Sequence, residues 1–205
     1  MKMKKRLHDK KAGIAILAVL ILISLAEVIF RATVIGKAVL TTSNLGEQLA
    51  VIALAAFIMI MTVMGKDRLC YICYGAWAGY FVLDQIFELP GVIIRVIDFT
   101  SQTADAGFVG VVRIAITVCI IAIGAVLVEY MNDGTIHKRA FNGLCITTVL
   151  LLAVNIVFSI IGAVTVNAMY ALDTFHGLYR VAMVFLFAFF AYDSAKIQLK
   201  KTKLS

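Results

Sequence analysis

The stretch FVLDQIFELPGVIIR, residues 81–95, decides how this chain is read. Most of its residues suit the interior of a membrane helix, yet Asp84, Glu88 and Arg95 interrupt them. An ionisable side chain near the centre of a bilayer costs about 2.5–3.5 kcal/mol on insertion scales. Three of them in one span therefore need partners on other helices, and those partners must be found elsewhere in the sequence.

Working outward from that stretch, apolar runs recur near 13–35, 48–64, 69–94, 108–130, 141–165 and 171–195. Most approach the roughly 20 residues that a helix needs to cross a bilayer. The second is short and can borrow from Gly46–Glu47 or from Gly65. With 62% hydrophobic and 15% charged residues in 205, the chain has more apolar surface than a soluble domain of this size can bury. The expected fold is all-α, a single integral membrane domain of six transmembrane helices spanning 1–205, with short loops and no soluble domain. The solvent for most of its surface is the lipid bilayer.

Orientation follows from where the cations lie. Lys2, Lys4, Lys5, Arg6, Lys10 and Lys11 precede the first run, and Lys196, Lys200, Lys201 and Lys203 follow the last. The connectors GKDR (65–68) and NDGTIHKR (132–139) are basic as well, while TTSNLGEQ (41–48), DFTSQTADAG (98–107) and TVNAMYALD (165–173) lack Lys and Arg. With six spans both termini and the two basic connectors share a side, and the positive-inside rule makes it cytoplasmic. The expected location is the cell membrane. The net charge of +7 is thus spent on membrane flanks, and no nucleic-acid partner is expected. A cleaved signal peptide ending near SLA (24–26) is set aside, because the apolar run continues past Glu27 and cleavage would spoil the charge asymmetry.

On this topology the intramembrane charges gather in the outer half. Glu27 and Arg31 form an i, i+4 pair on the first helix. Asp84 and Glu88 stand one turn apart on the third helix, Arg95 near its outer boundary and Arg113 near the outer end of the fourth. Asp173, His176 and Arg180 form one stripe on the sixth. Four carboxylates therefore face four guanidinium groups, the pairing best suited to apolar surroundings. Glu88 is expected to pair with Arg113 or Arg180.

Two functions fit such a cluster. One is a transport protein, or the membrane subunit of one, for a small solute or ion, with Glu27, Arg31, Asp84, Glu88, Arg95, Arg113, His176 and Arg180 as solute-binding residues. The other is a non-catalytic accessory or regulatory protein in which the cluster is a structural ion-pair network. An intramembrane enzyme ranks third, for want of any H-E-x-x-H, G-x-S-x-G or P-loop motif. No catalytic residue, metal ligand or cofactor is expected. Partners are the bilayer, and either other membrane subunits or further copies of the chain.

CYIC (70–73) has redox or zinc spacing, but it falls at the cytoplasmic end with no second thiol pair facing outward, so packing is the expected role of both thiols. GAWAG (75–79) places two glycines four apart and is expected to let the third helix approach a neighbour, within the chain or in a dimer. A faint echo between the GKDRLC and HKRAFNGLC lead-ins is attributed to shared composition.

Overall fold

The computed structural model of the chain describes residues 2–35, 42–100, 104–133 and 138–201. The expected loop positions Ser101, Thr103 and His137 lie outside the described residues, as do the side chains of Arg95, His8 and the basic N-terminal flank. The described chain is all helical. Helix α1 runs Lys2–Phe30 and continues into a π-helical turn, Arg31–Ile35; then come α2 (Thr42–Val63), α3 (Asp67–Thr100), α4 (Ala104–Asp133), α5 (Lys138–Thr165) and α6 (Tyr170–Lys201). Each of the six contains a segment long and apolar enough to cross a membrane: Lys11–Val34, Leu45–Val63, Ile72–Ile94, Phe108–Leu127, Arg139–Thr165 and Tyr170–Phe189.

Helices outrun the apolar runs at several ends. Most of TTSNLGEQ is the first turns of α2, and DFTSQTADAG is shared between the end of α3 and the start of α4. Apolarity marks what can sit in lipid, whereas backbone hydrogen bonding sets where a helix stops, and polar residues extend a helix freely once it has nucleated. Pro90 lies inside α3 and removes one intrahelical donor, yet the helix runs on for ten further residues to Thr100. Hydroxyls within the helices are satisfied locally: Thr62, Thr117, Thr148 and Ser159 each donate to the carbonyl four residues earlier, at 2.7–3.0 Å.

Two turns set the hairpins. At the end of α2, Gly65 adopts φ 73°, the Gly65 amide donates to the Thr62 carbonyl at 3.2 Å, and the Lys66 amide donates to Met61 at 3.0 Å. This is a Schellman cap, and glycine supplies its left-handed residue without strain. Before α6, the Asn167 side-chain oxygen accepts from the Met169 amide at 2.9 Å, capping the entry into that helix.

Helices adjacent in sequence are neighbours in space, and α1 also packs against α6, so the packing order is α2–α1–α6–α5–α4–α3. The ring closes where α3 returns to α2, and that contact is sparser than α1 with α2 or α3 with α4. Its described side-chain hydrogen bonds gather at the Gly65 turn: Cys70 Sγ lies 3.5 Å from Thr62 Oγ1 and 3.9 Å from the Ile58 carbonyl. Helix α6 alone reaches α1, α3, α4 and α5.

The core is built from Leu17 and Leu20 of α1, Ile58 of α2, Trp77 and Phe81 of α3, Ile116 and Ile120 of α4, Leu152 of α5 and Phe187 of α6, all buried. Large apolar side chains are exposed on every helix, among them Leu22, Ile60, Phe87, Val118, Leu150 and Phe185. Close approach of α3 and α4 depends on Gly124, where a Cβ would fall 2.6 Å from Val82 Cγ2. Within the chain Gly79 of GAWAG makes no close approach: it is exposed, and a Cβ there would meet nothing within 4 Å. Within the chain it is Gly110 and Gly124, on α4, that admit α3.

Candidate functional site

Helix α6 carries the site's spine. Asp173, His176 and Arg180 recur at three- and four-residue spacing, so one face of α6 presents an acid, an imidazole and a guanidinium in succession. Each meets a different helix. Asp173 pairs with Arg113 of α4 at 2.5 Å, His176 Nε2 stands 3.6 Å from Glu27 Oε1 of α1, and Arg180 donates to Glu88 Oε2 of α3 at 2.9 Å.

Around Glu27 the arrangement is closed. Its side chain is 2% exposed. The Arg31 Nε donates to Oε1 at 2.9 Å and a terminal guanidinium nitrogen reaches the same oxygen, while Gln48 Nε2 of α2 donates to Oε2 at 3.1 Å. Arg31, the first residue of the π-helical turn, lays its side chain back over the preceding turn onto Glu27, the direction in which helical side chains lean. Beside it Phe30 packs on Phe175 of α6 with ring centroids 5.5 Å apart. Three helices are thereby tied by one carboxylate.

Around Glu88 the arrangement is open. The Glu88 side chain is 43% exposed, against 20% for its partner Arg180. Asp84, one turn earlier, is exposed as well. Between them, Gln85 is buried, and its Nε2 lies 3.4 Å from both Asp84 Oδ2 and Glu88 Oε2. Beneath this group, Trp77 Nε1 donates to the Tyr179 hydroxyl at 3.3 Å, and Tyr179 stacks edge-on against Phe81 at 5.8 Å. Arg180 lies within electrostatic reach of Asp84, Arg113 and Asp173 besides Glu88, so the open pairs form one continuous field.

The eight sequence-derived residues therefore divide. Glu27, Arg31 and His176 meet in the closed knot, while Glu88 and Arg180 pair directly and Asp84 stands beside them. Arg113 is committed to Asp173, so Arg180 is the partner of Glu88. The Arg95 side chain lies outside the described residues. Among the described residues Asp84 has no ion-pair partner within 4 Å.

Two members were missed by reading charges alone. Gln48 reads as the end of the connector TTSNLGEQ, although it is the last polar residue before the apolar run of α2. Gln85 was passed over between two acids. A neutral amide flanked by Asp84 and by Glu88 three residues later was a usable signal, because all three share one side of a helix. Comparison with family models, with curated proteins and with solved structures yields no match, so the site's chemistry is the basis for assigning a role.

Proposed function

We propose that the chain is a multi-pass membrane protein that binds and moves a small charged solute, either as a transporter or as the membrane subunit of one. The observation that carries this reading is the hub on α6, whose charges engage three other helices through contacts that differ in accessibility. Charges retained inside an apolar bundle, where each costs several kcal/mol unless paired, mark solute or ion paths by default. A solute can compete for the accessible pairs Arg113–Asp173 and Arg180–Glu88, whereas the Glu27–Arg31 pair is buried and only the facing His176 ring is exposed. Because the competing groups sit on α3, α4 and α6, occupancy would change how those helices are tied together, which is what alternating access requires.

In this reading the chain lies in the cell membrane with both termini and the Gly65 turn cytoplasmic, on the strength of Lys66, Lys138, Arg139 and the basic flanks. The charged groups then belong to the half nearer the outside. Single-cysteine variants at 66, 101 and 138, in a background lacking the native thiols, test the orientation with an impermeant reagent on intact cells. Labelling at 101 alone supports it, and labelling at 66 or 138 alone reverses it.

The transport reading is tested in proteoliposomes by solid-supported-membrane currents across a panel of small carboxylates, amino acids and amines. A solute current present in the wild type and lost in Arg180→Gln/Glu88→Gln, with thermal stability retained, supports it. A second reading, an accessory protein whose cluster is scaffold, is favoured by one observation: among the described residues three acid–guanidinium pairs are in direct contact. Under that reading the same double variant keeps its activity and its partners.

A further inference from the structure

We propose that Asp84, Gln85 and Glu88 form a binding site for one monovalent cation, either an inorganic ion or the ammonium group of a solute. The inference deepens the solute-site reading above and rests on it for its biological role. Its chemistry can be measured without any transport.

Charge balance is the first ground. Asp84 and Glu88 place two carboxylates one turn apart on α3, and the single guanidinium in direct contact is Arg180, which binds Glu88. Arg113 is held by Asp173 and Arg31 by Glu27. Among the described residues the group Asp84–Glu88–Arg180 thus sets two carboxylates against one guanidinium. Asp84 is the twelfth residue after Ile72 in the candidate span Ile72–Ile94, close to its midpoint, where an unmatched carboxylate is most costly. A monovalent cation cancels that excess, and a divalent ion would overshoot it.

Gln85 is the second and independent ground. It is 1% exposed, and its Oε1 is buried without a hydrogen-bond partner. The same planar amide has its Nε2 3.4 Å from each carboxylate, so the unpartnered carbonyl oxygen belongs to a group lodged between the two acids. A buried amide oxygen with no donor forfeits a hydrogen bond it would otherwise make. Rotation of the amide by half a turn exchanges the two ends. The oxygen would then join Asp84 and Glu88 as a third hard ligand, an arrangement that is repulsive without a cation and favourable with one. Glutamine suits this position because it can present a donor to the carboxylates in one state and an acceptor to the ion in the other.

Exposure supplies the route. Contacts between α2 and α3 are sparse, and Asp84 and Glu88 are exposed on α3, so the acids are reachable from outside the bundle. Glu47 near the start of α2 is exposed as well, and both it and Asp84 act electrostatically on Tyr179. Three exposed carboxylates, Glu47, Asp84 and Glu88, raise the local concentration of cations.

The test is thermal unfolding of the purified protein in detergent at constant ionic strength and pH, replacing tetraethylammonium chloride by sodium, potassium or methylammonium chloride. A ligand that binds only the folded state at a hundred-fold excess over its Kd should raise the midpoint by about 5–10 °C, saturably. Saturation by sodium or potassium assigns an inorganic ion; saturation by methylammonium alone assigns the ammonium head of a solute. Asp84→Asn should abolish the rise while unfolding no earlier than wild type in tetraethylammonium, and Gln85→Leu should weaken it. Should Asp84→Asn not fold, Asp84→Ser replaces it, and radiolabelled sodium, potassium and methylammonium binding to the wild type must show about one site per chain. No response to any of the three cations in the wild type, or an undiminished response in the Asp84 variant, overturns the proposal. So does stabilisation that follows acid pH alone, which would mean that Asp84 is matched by a proton. None of these outcomes bears on whether a solute current exists, so the two readings fail separately.

Discussion

Glu27 and Glu88 are the same residue type placed in two opposite settings. Each lies four residues from another ionisable group on its own helix, and each meets the α6 stripe. Glu27 is held by Arg31 and Gln48, faced by His176, and is almost wholly out of contact with solvent. Glu88 accepts from Arg180 and Gln85 and keeps nearly half its side chain exposed. The difference lies in the neighbour on the same helix. At 31 it is a guanidinium, which closes the pair locally; at 84 it is a second acid, which leaves the pair dependent on another helix and one charge short. A knot that completes itself serves as a fastener, whereas a group that needs a partner from elsewhere can exchange that partner.

The comparison is broken most severely at the knot. Arg31→Gln leaves Glu27 buried beside an amide in place of a cation, and truncating one member of a buried pair costs about 3–5 kcal/mol. Thermal or denaturant unfolding in detergent should show a loss of that order, and Glu27→Gln/Arg31→Gln should lose less than Arg31→Gln alone. A double-variant loss equal to the sum of the two single-variant losses would mean that the knot's charges are independent.

A change that displaces α3 without touching a charge comes next. Gly124→Ala forces a methyl group against Val82, whose three nearest side-chain atoms lie at 2.6–3.2 Å and whose β-branched rotamer is stiff in a helix. Overpacking of this kind costs about 1–3 kcal/mol. It should also perturb cation or solute responses at Asp84 and Glu88 while leaving the Glu27–Arg31 coupling intact, as read by a double-mutant cycle on each pair.

The open pair should be worth less. A cycle on Glu88→Gln and Arg180→Gln should give a coupling of about 0.2–1 kcal/mol, the range of solvent-accessible pairs, against a larger value at the knot. Equal couplings would erase the distinction between fastener and exchangeable pair. The smallest effect is expected at Gly79→Ala, which faces open space in α3 and gains up to about 1 kcal/mol of helix propensity. A clear destabilisation there would reveal that this face is covered by another chain.

Much of the fold was legible because the apolar runs are long and their connectors few. Leu, Ile, Val and Ala at near-uniform density mark the six segments, and an apolar solvent leaves a spanning backbone little choice but to bond within itself. Helix ends were less legible: Asp98 to Thr100 and Thr42 to Asn44 read as loop and are helix, since polarity does not stop a helix. The Glu27–Arg31 pair was readable from its spacing alone. The partner of Glu88 was narrowed to two arginines and no further, and Gln48 and Gln85 are less conspicuous than the charges because a neutral amide costs less in lipid than an ion.

Sequence by itself determined six apolar helices, the two i, i+4 relations at 27–31 and 84–88, and a stripe of three polar groups on α6. All of these depend on the 3.6-residue repeat of one helix, which is local. Only tertiary structure decided that α6 stands against α1, α3 and α4, giving Arg113 to Asp173, Arg180 to Glu88 and His176 to Glu27. Those choices follow from which helices pack together and at what rotation. Apolar surfaces of similar composition do not encode that in any short stretch, so it is settled by side-chain fit across the assembled bundle, such as Gly124 against Val82.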